Sequence, residues 1–141
     1  MKIAFLDNSW NNTKDGNYSG VGYYRIVQPA KYIKKHDIRV IGNDIKRYSE
    51  KAEDTLHDIV RDHDIIVTKA VDNMQAASNL IFFKQHYNKK LVVDLDDNYF
   101  EVRPDQPGYK WYYPGSQKRA TLSSYLSFAD HIIVSTQPLA D

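Results

Sequence analysis

The chain has 141 residues, 42% hydrophobic and 26% charged, with a formal net charge of +1. That is one domain's worth of ordinary soluble composition, and it gives no electrostatic case for a nucleic-acid, membrane-surface or strongly acidic partner. The absence of cysteine excludes disulfides and thiolate metal sites. No apolar run approaches the roughly 20 residues of a membrane span, and residues 1–7 turn polar too soon for a signal peptide, so a cytoplasmic protein is expected.

In chain order, residues 2–7 read as a first, central strand. Residues 8–20 are polar and turn-rich, a loop of 13 residues. Strand-to-helix connections usually take about 2–6, and long loops in compact domains are often functional. Tyr23, Ile26, Val27, Ala30 and Ile33 then form an apolar stripe that predicts a helix over 21–36. Pro29 should kink it or force it to restart. Ile38–Ile41 form a second strand. Ala52, Leu56, Ile59 and Val60 mark a helix over 50–61, and Asp64–Thr68 a third strand. Asp72, with Gln75 three residues on, reads as a capping pair opening a helix that runs to Tyr87.

The fourth strand is the centre of the chain. In Leu91-Val92-Val93-Asp94-Leu95-Asp96-Asp97, an apolar run ends in three carboxylates within four positions. In open α/β sheets ligands bind at the carboxyl ends of strands. If both lie on the strand, Asp94 and Asp96 share a face, roughly 7 Å apart. Unpaired, they would repel by about 2 kcal/mol at an effective dielectric near 20, so a cation, a donor or a proton must compensate them. Either they form a substrate or metal site, or Asp94 closes the strand while Asp96 and Asp97 begin a turn. An aromatic loop over 99–113 follows, then a helix over 116–128 that turns Ala120, Leu122, Tyr125, Leu126 and Ala129 inward. A fifth strand runs over 131–135. Alternating strands and helices predict an α/β, Rossmann-like doubly wound parallel sheet of about five strands, in order 3-2-1-4-5. The chain stops where another helix is due, so half of a larger protein is expected.

Other stretches carry possible chemistry. Ser19-Gly20-Val21-Gly22 at a helix start would let backbone N–H groups approach an anion. It lacks the third glycine of a dinucleotide fingerprint and the Gly-Lys-Ser/Thr of a P-loop, and it reads equally as a helix start that needs glycine. Arg25, one turn on, would bind a phosphate or compensate the acids. Lys69, after the third strand, is either solvated or a binding group. Tyr99, Phe100, Tyr109, Trp111, Tyr112 and Tyr113 suit a sugar ring, a partner surface or a second domain, or simply cover the core. His36, His57, His63, His86 and His131 make no metal-ligand pair by spacing, and a structural role is expected for each.

Four segments, Lys2-Ile3-Ala4-Phe5, Gly20 to Ala30, Val92 to Asp97 and Ala129 to Thr136, together resemble the N-terminal domain of GT-B glycosyltransferases. The likeness is closest to family 4-like enzymes of bacteria and their phages. It implies one Rossmann-like domain over 1–141 on the acceptor side of a cleft, with a C-terminal donor-binding domain outside this chain. The full enzyme would move a sugar, as a hexosyltransferase does, from a nucleotide-sugar co-substrate to a hydroxyl-bearing acceptor, with no metal or other cofactor. Asp96 and Asp97 would be the catalytic or acceptor-binding acids. Gly20, Gly22 and Arg25 would lie near the phosphates, with Lys69, Asp94, Tyr99 and Trp111 as further binding residues.

Two other readings compete. One is a stand-alone Rossmann-like binding module without catalysis. The other is a haloacid dehalogenase-like phosphatase, suggested by apolar residues running into Asp94-Leu95-Asp96. That motif should open a chain, and no matching lysine and acidic pair follows it.

Overall fold

Short apolar runs bounded by polar residues build the sheet. The computed structural model describes residues 1–6, 20–41 and 52–135, so the loop expected over 8–20 lies outside the described residues except for Gly20, which already belongs to a helix. Its strands are β1 (Lys2–Leu6), β2 (Asp37–Ile41), β3 (Ile65–Lys69), β4 (Lys90–Leu95) and β5 (His131–Val134). All pair in parallel, as the α/β alternation requires.

The order is β2-β1-β3-β4-β5, which corrects the expected 3-2-1-4-5. β3 inserts between β1 and β4, and β2 takes the edge. The burial of the two strands explains the exchange. β2 carries Asp37 and Arg39 into solvent, whereas Ile66, Val67 and Thr68 of β3 are buried. A strand with charges on it is tolerated at an edge, where one side of the ladder stays wet.

Helices cover both faces. On one, α3 (Ala52–Asp62), α4 (Met74–His86) and α6 (Gln117–Ser127) pack Leu56, Ile59, Leu80, Phe83 and Tyr125 against Ala4, Leu6, Ile66, Leu91 and Val93. On the other, Ile26 and Ala30 pack against Ile3, Phe5 and Val67. No described helix is long and apolar enough to cross a membrane.

The first helical stretch is broken into three, as Pro29 foretold. A short α1 (Gly20–Gly22) passes into a π-helical segment (Tyr23–Val27) and then α2 (Gln28–Tyr32). The Gln28 N–H donates to the Tyr23 carbonyl, five residues back. This wider turn lies immediately ahead of the proline, whose ring has no N–H to give and would clash inside an ordinary turn. The helix stops at Tyr32 rather than residue 36, because Ile33 is extended (φ −82°, ψ 92°).

The opening of α4 also differs from expectation. Asn73, not Asp72, is the cap, accepting the Ala76 N–H at 3.0 Å. Gln75 donates forward to Asn79 instead of reaching back. In α6, capped by Ser116, Leu122 and Tyr125 are buried, but Ala120 is exposed. The Tyr125 hydroxyl meets that of Thr68 at 2.7 Å, which satisfies two polar groups inside the core.

At the opposite edge of the sheet Asp130 ties β4 to its neighbours. It accepts the Leu91 N–H at 2.8 Å and lies 3.1 Å from the Lys90 ammonium and 3.2 Å from that of Lys84.

Candidate functional site

Strand alternation decides where the three carboxylates go. Val92 packs on the Ile26 face, so Asp94, two residues on, points to that face too. There it meets Arg25, the neighbour of Ile26. The guanidinium grips the carboxylate with both arms: Nε donates to Oδ2 at 2.5 Å and Nη2 to Oδ1. Asp94 is 6% exposed at its side chain and Arg25 23%, so the acid is the more deeply committed partner. The hydrogen bond to Asp94 raises the Arg25 pKa above its ordinary value. Burial works against this, and the charges of Asp94, Asp96 and Asp97 support it. Of the roles open to Arg25 in the sequence, compensation of the acids is the one its contacts display. Lys69 sits in register with Asp94 at the end of β3.

Asp96 and Asp97 lie beyond the strand. Asp96 is half-buried and accepts the Tyr99 hydroxyl on Oδ1 at 2.8 Å. Asp97 is exposed, and its backbone carbonyl accepts the Tyr99 N–H at 3.1 Å. The three acids thus occupy three environments: one neutralised, one held by a phenol, one open to water.

The aromatic loop is more ordered than its composition suggested, since it contains a short helix, α5 (Tyr109–Tyr112). Tyr99 and Tyr112 rest on each other, ring centroids 4.8 Å apart and planes inclined by 51°. The Tyr112 hydroxyl donates to Asp72 Oδ2 at 2.6 Å, and Lys118 donates to the same oxygen at 2.8 Å. Lys118 also lies 5.1 Å from the centre of the Trp111 ring, with Lys110 at 5.2 Å. The Arg119 guanidinium stands 5.6 Å from the centre of Phe100. Burial, then the bond to Asp96, pushes the Tyr99 hydroxyl well above its ordinary pKa; burial and Asp72 do the same for Tyr112. Both phenols therefore remain hydrogen-bond donors throughout the neutral range.

Gly20 and Gly22 lie one turn ahead of Arg25, on the same helical stretch. A Cβ at Gly20 would meet nothing within 4 Å, so the fold itself does not demand glycine there. The residues that sequence reading did not assign to the site are Asp72 and Lys118. Asp72 follows β3 at the same edge as the three acids, and its position was the available signal. His63 has a structural role, its Nδ1 meeting the Ile59 carbonyl at 2.7 Å. Among the described residues no group of three or more His, Asp or Glu is placed to hold a metal ion.

Chemically, this edge offers one carboxylate with an oxygen beyond the one Tyr99 fills, one exposed carboxylate, and aromatic surface beside them. Compared with known proteins, the chain matches no family model, no curated protein and no solved structure.

Proposed function

We propose that this chain is the acceptor-side domain of a cytoplasmic GT-B-type glycosyltransferase, which moves a sugar from a nucleotide-sugar to a hydroxyl-bearing acceptor. The observation that carries the reading is the grading of the three acids at the end of β4. With Asp94 neutralised by Arg25, Asp96 and Asp97 remain as acceptors for a hydroxyl proton. Tyr99 fixes the Asp96 carboxylate and leaves its second oxygen to orient the hydroxyl; the exposed Asp97 takes the proton as the hydroxyl oxygen bonds to the anomeric carbon, whose bond to the donor phosphate breaks, the electron pair leaving with the nucleotide. The guanidinium of Arg25 has five N–H donors, of which Asp94 engages two. The rest, which no other described residue engages, would meet a donor phosphate near Gly20 and Gly22. Because the transition state needs donor and acceptor held together, the 141-residue chain alone binds acceptor but transfers nothing.

In the enzyme containing this domain, Asp97→Asn should cut turnover at least about tenfold without loss of folding. Turnover measured with labelled nucleotide-sugars and found unchanged would remove Asp97 from the mechanism. Robust transfer by the isolated chain would overturn the two-domain reading. The alternative of a binding module without catalysis is favoured by Tyr24 and Tyr32, both well exposed on the first helical stretch. It would come forward if neither Asp96 nor Asp97 responded to any saccharide in NMR titrations while Tyr24 and Tyr32 responded to a partner.

A further inference from the structure

Around α5 and α6 the charges do not balance. From residue 106 to 129 the sequence holds Lys110, Lys118 and Arg119 and no acid. Lys118 and Arg119 stand in the first turn of α6, where the helix dipole disfavours cations. The helix start itself is closed, its Arg119 N–H taken by the Ser116 hydroxyl. Among the described residues one carboxylate, Asp72, answers these cations, through Lys118. Among the described residues Lys110 has no carboxylate partner. It lies instead beside the Trp111 indole, itself 51% exposed. Lys118 stands 5.1 Å from the centre of the same ring, so two ammoniums share the indole; its surface is still half open to water, and Lys110 keeps a charge that no described carboxylate answers.

We infer that Trp111 and Lys110 seat a saccharide that carries a carboxylate or a phosphate. The indole takes the C–H face of the ring, and the ammonium pairs with a charge held just outside it. The net charge of only +1, with Asp72, Asp96 and Asp97 on the same edge, restricts the seat to a small anion rather than a polyanion. This rests on the acceptor-side reading above and narrows it: the acceptor is an anionic sugar.

The test is an NMR titration of the intact chain at low salt, following the Trp111 indole N–H, assigned with Trp111→Phe. The probes are a methyl glucuronide, glucose 6-phosphate, a neutral methyl glucoside and inorganic phosphate. The anionic sugars should shift the Trp111 signal and bind at least about fivefold more tightly than the neutral one, about 1 kcal/mol. Lys110→Gln or added salt should remove that preference, with the thermal melt of Lys110→Gln unchanged. Whichever of glucuronide and sugar phosphate binds more tightly identifies the group. Equal binding of neutral and anionic glycosides, or a preference that survives Lys110→Gln, overturns the inference and leaves the acceptor reading intact. Inorganic phosphate binding as well as the sugar phosphate without moving the indole overturns it too. If no saccharide shifts Trp111, Asp96 or Asp97, both fall.

Discussion

The Arg25–Asp94 pair allows a sharp energetic test. The two groups meet through two charge-assisted hydrogen bonds, each worth roughly 1.5–3 kcal/mol. Arg25→Met keeps much of the stem but strands a carboxylate that is only 6% exposed. Removing one partner of a buried pair costs about 3–5 kcal/mol. Against a total stability of about 5–15 kcal/mol that is a large fraction, equivalent to about 10–20 °C in Tm for a domain of this size. The converse change should be milder. In Asp94→Leu the stranded guanidinium is already 23% exposed and has Asp96 and Asp97 close enough to influence it, so about 1–2 kcal/mol is expected. The double variant, Arg25→Met with Asp94→Leu, should return to within about 1 kcal/mol of the wild type, because an apolar pair carries no desolvation cost. Urea unfolding followed by circular dichroism gives all three values by linear extrapolation. If Arg25→Met costs less than about 1 kcal/mol, or if the single costs simply add in the double variant, the pair is not coupled as its geometry requires.

Asp130 and Tyr125 give two further expectations. Burial opposes ionisation of Asp130, but the Leu91 N–H and the Lys90 and Lys84 ammoniums outweigh it, drawing the group from 3.8 down to about 2. A depressed carboxylate adds stability that is complete above its unfolded pKa and is lost as pH falls through the folded one. Asp130→Asn should therefore cost about 1–2 kcal/mol at neutral pH and flatten the loss of urea stability between pH 3.8 and about 2; an unaltered slope would refute it. Tyr125→Phe leaves the buried Thr68 hydroxyl without its partner and should cost about 1–2 kcal/mol in urea unfolding. Adding Thr68→Val should recover most of the loss, and a Tyr125→Phe protein as stable as the wild type would show that the bond contributes nothing.

The α/β class was legible because β1, β3 and β4 are apolar enough to be read as buried strands between helical stretches. Their order was not, because the same strand list threads both ways. What separates the alternatives is which strand can bear an edge, and Asp37 and Arg39 mark β2 as that strand. Pro29 announced a break in the first helix but not its form. A π turn is set by a backbone bond from Gln28 to Tyr23, which leaves no pattern in the side chains. Asp72 was misread by one position. Both it and Asn73 can cap a helix, and the choice fell to Asn73 while Asp72 was drawn to Tyr112 and Lys118. Those partners lie 40 and 46 residues away in sequence, beyond the reach of local spacing rules. The match of Arg25 to Asp94 spans 69 residues, yet it could be foreseen, because both were placed on the carboxyl edge and their charges are opposite.

The interior position of β1 also bears on how the molecule comes together. Lys2–Leu6 pairs with β2 on one side and β3 on the other, so it is flanked by segments made up to about sixty residues later in the chain. Lys2 even donates its backbone N–H to the side chain of Asp64, and the Asp64 N–H returns to the Lys2 carbonyl. Ile3, Ala4, Phe5 and Leu6 are buried on both faces only when β2 and β3 are both in place beside them. Of the sheet's strand pairings β1–β3 closes the longest stretch of chain, so it carries the largest loop-closure cost among them. Once that strand docks, both cores are seeded together, because alternate residues of β1 belong to opposite faces of the sheet.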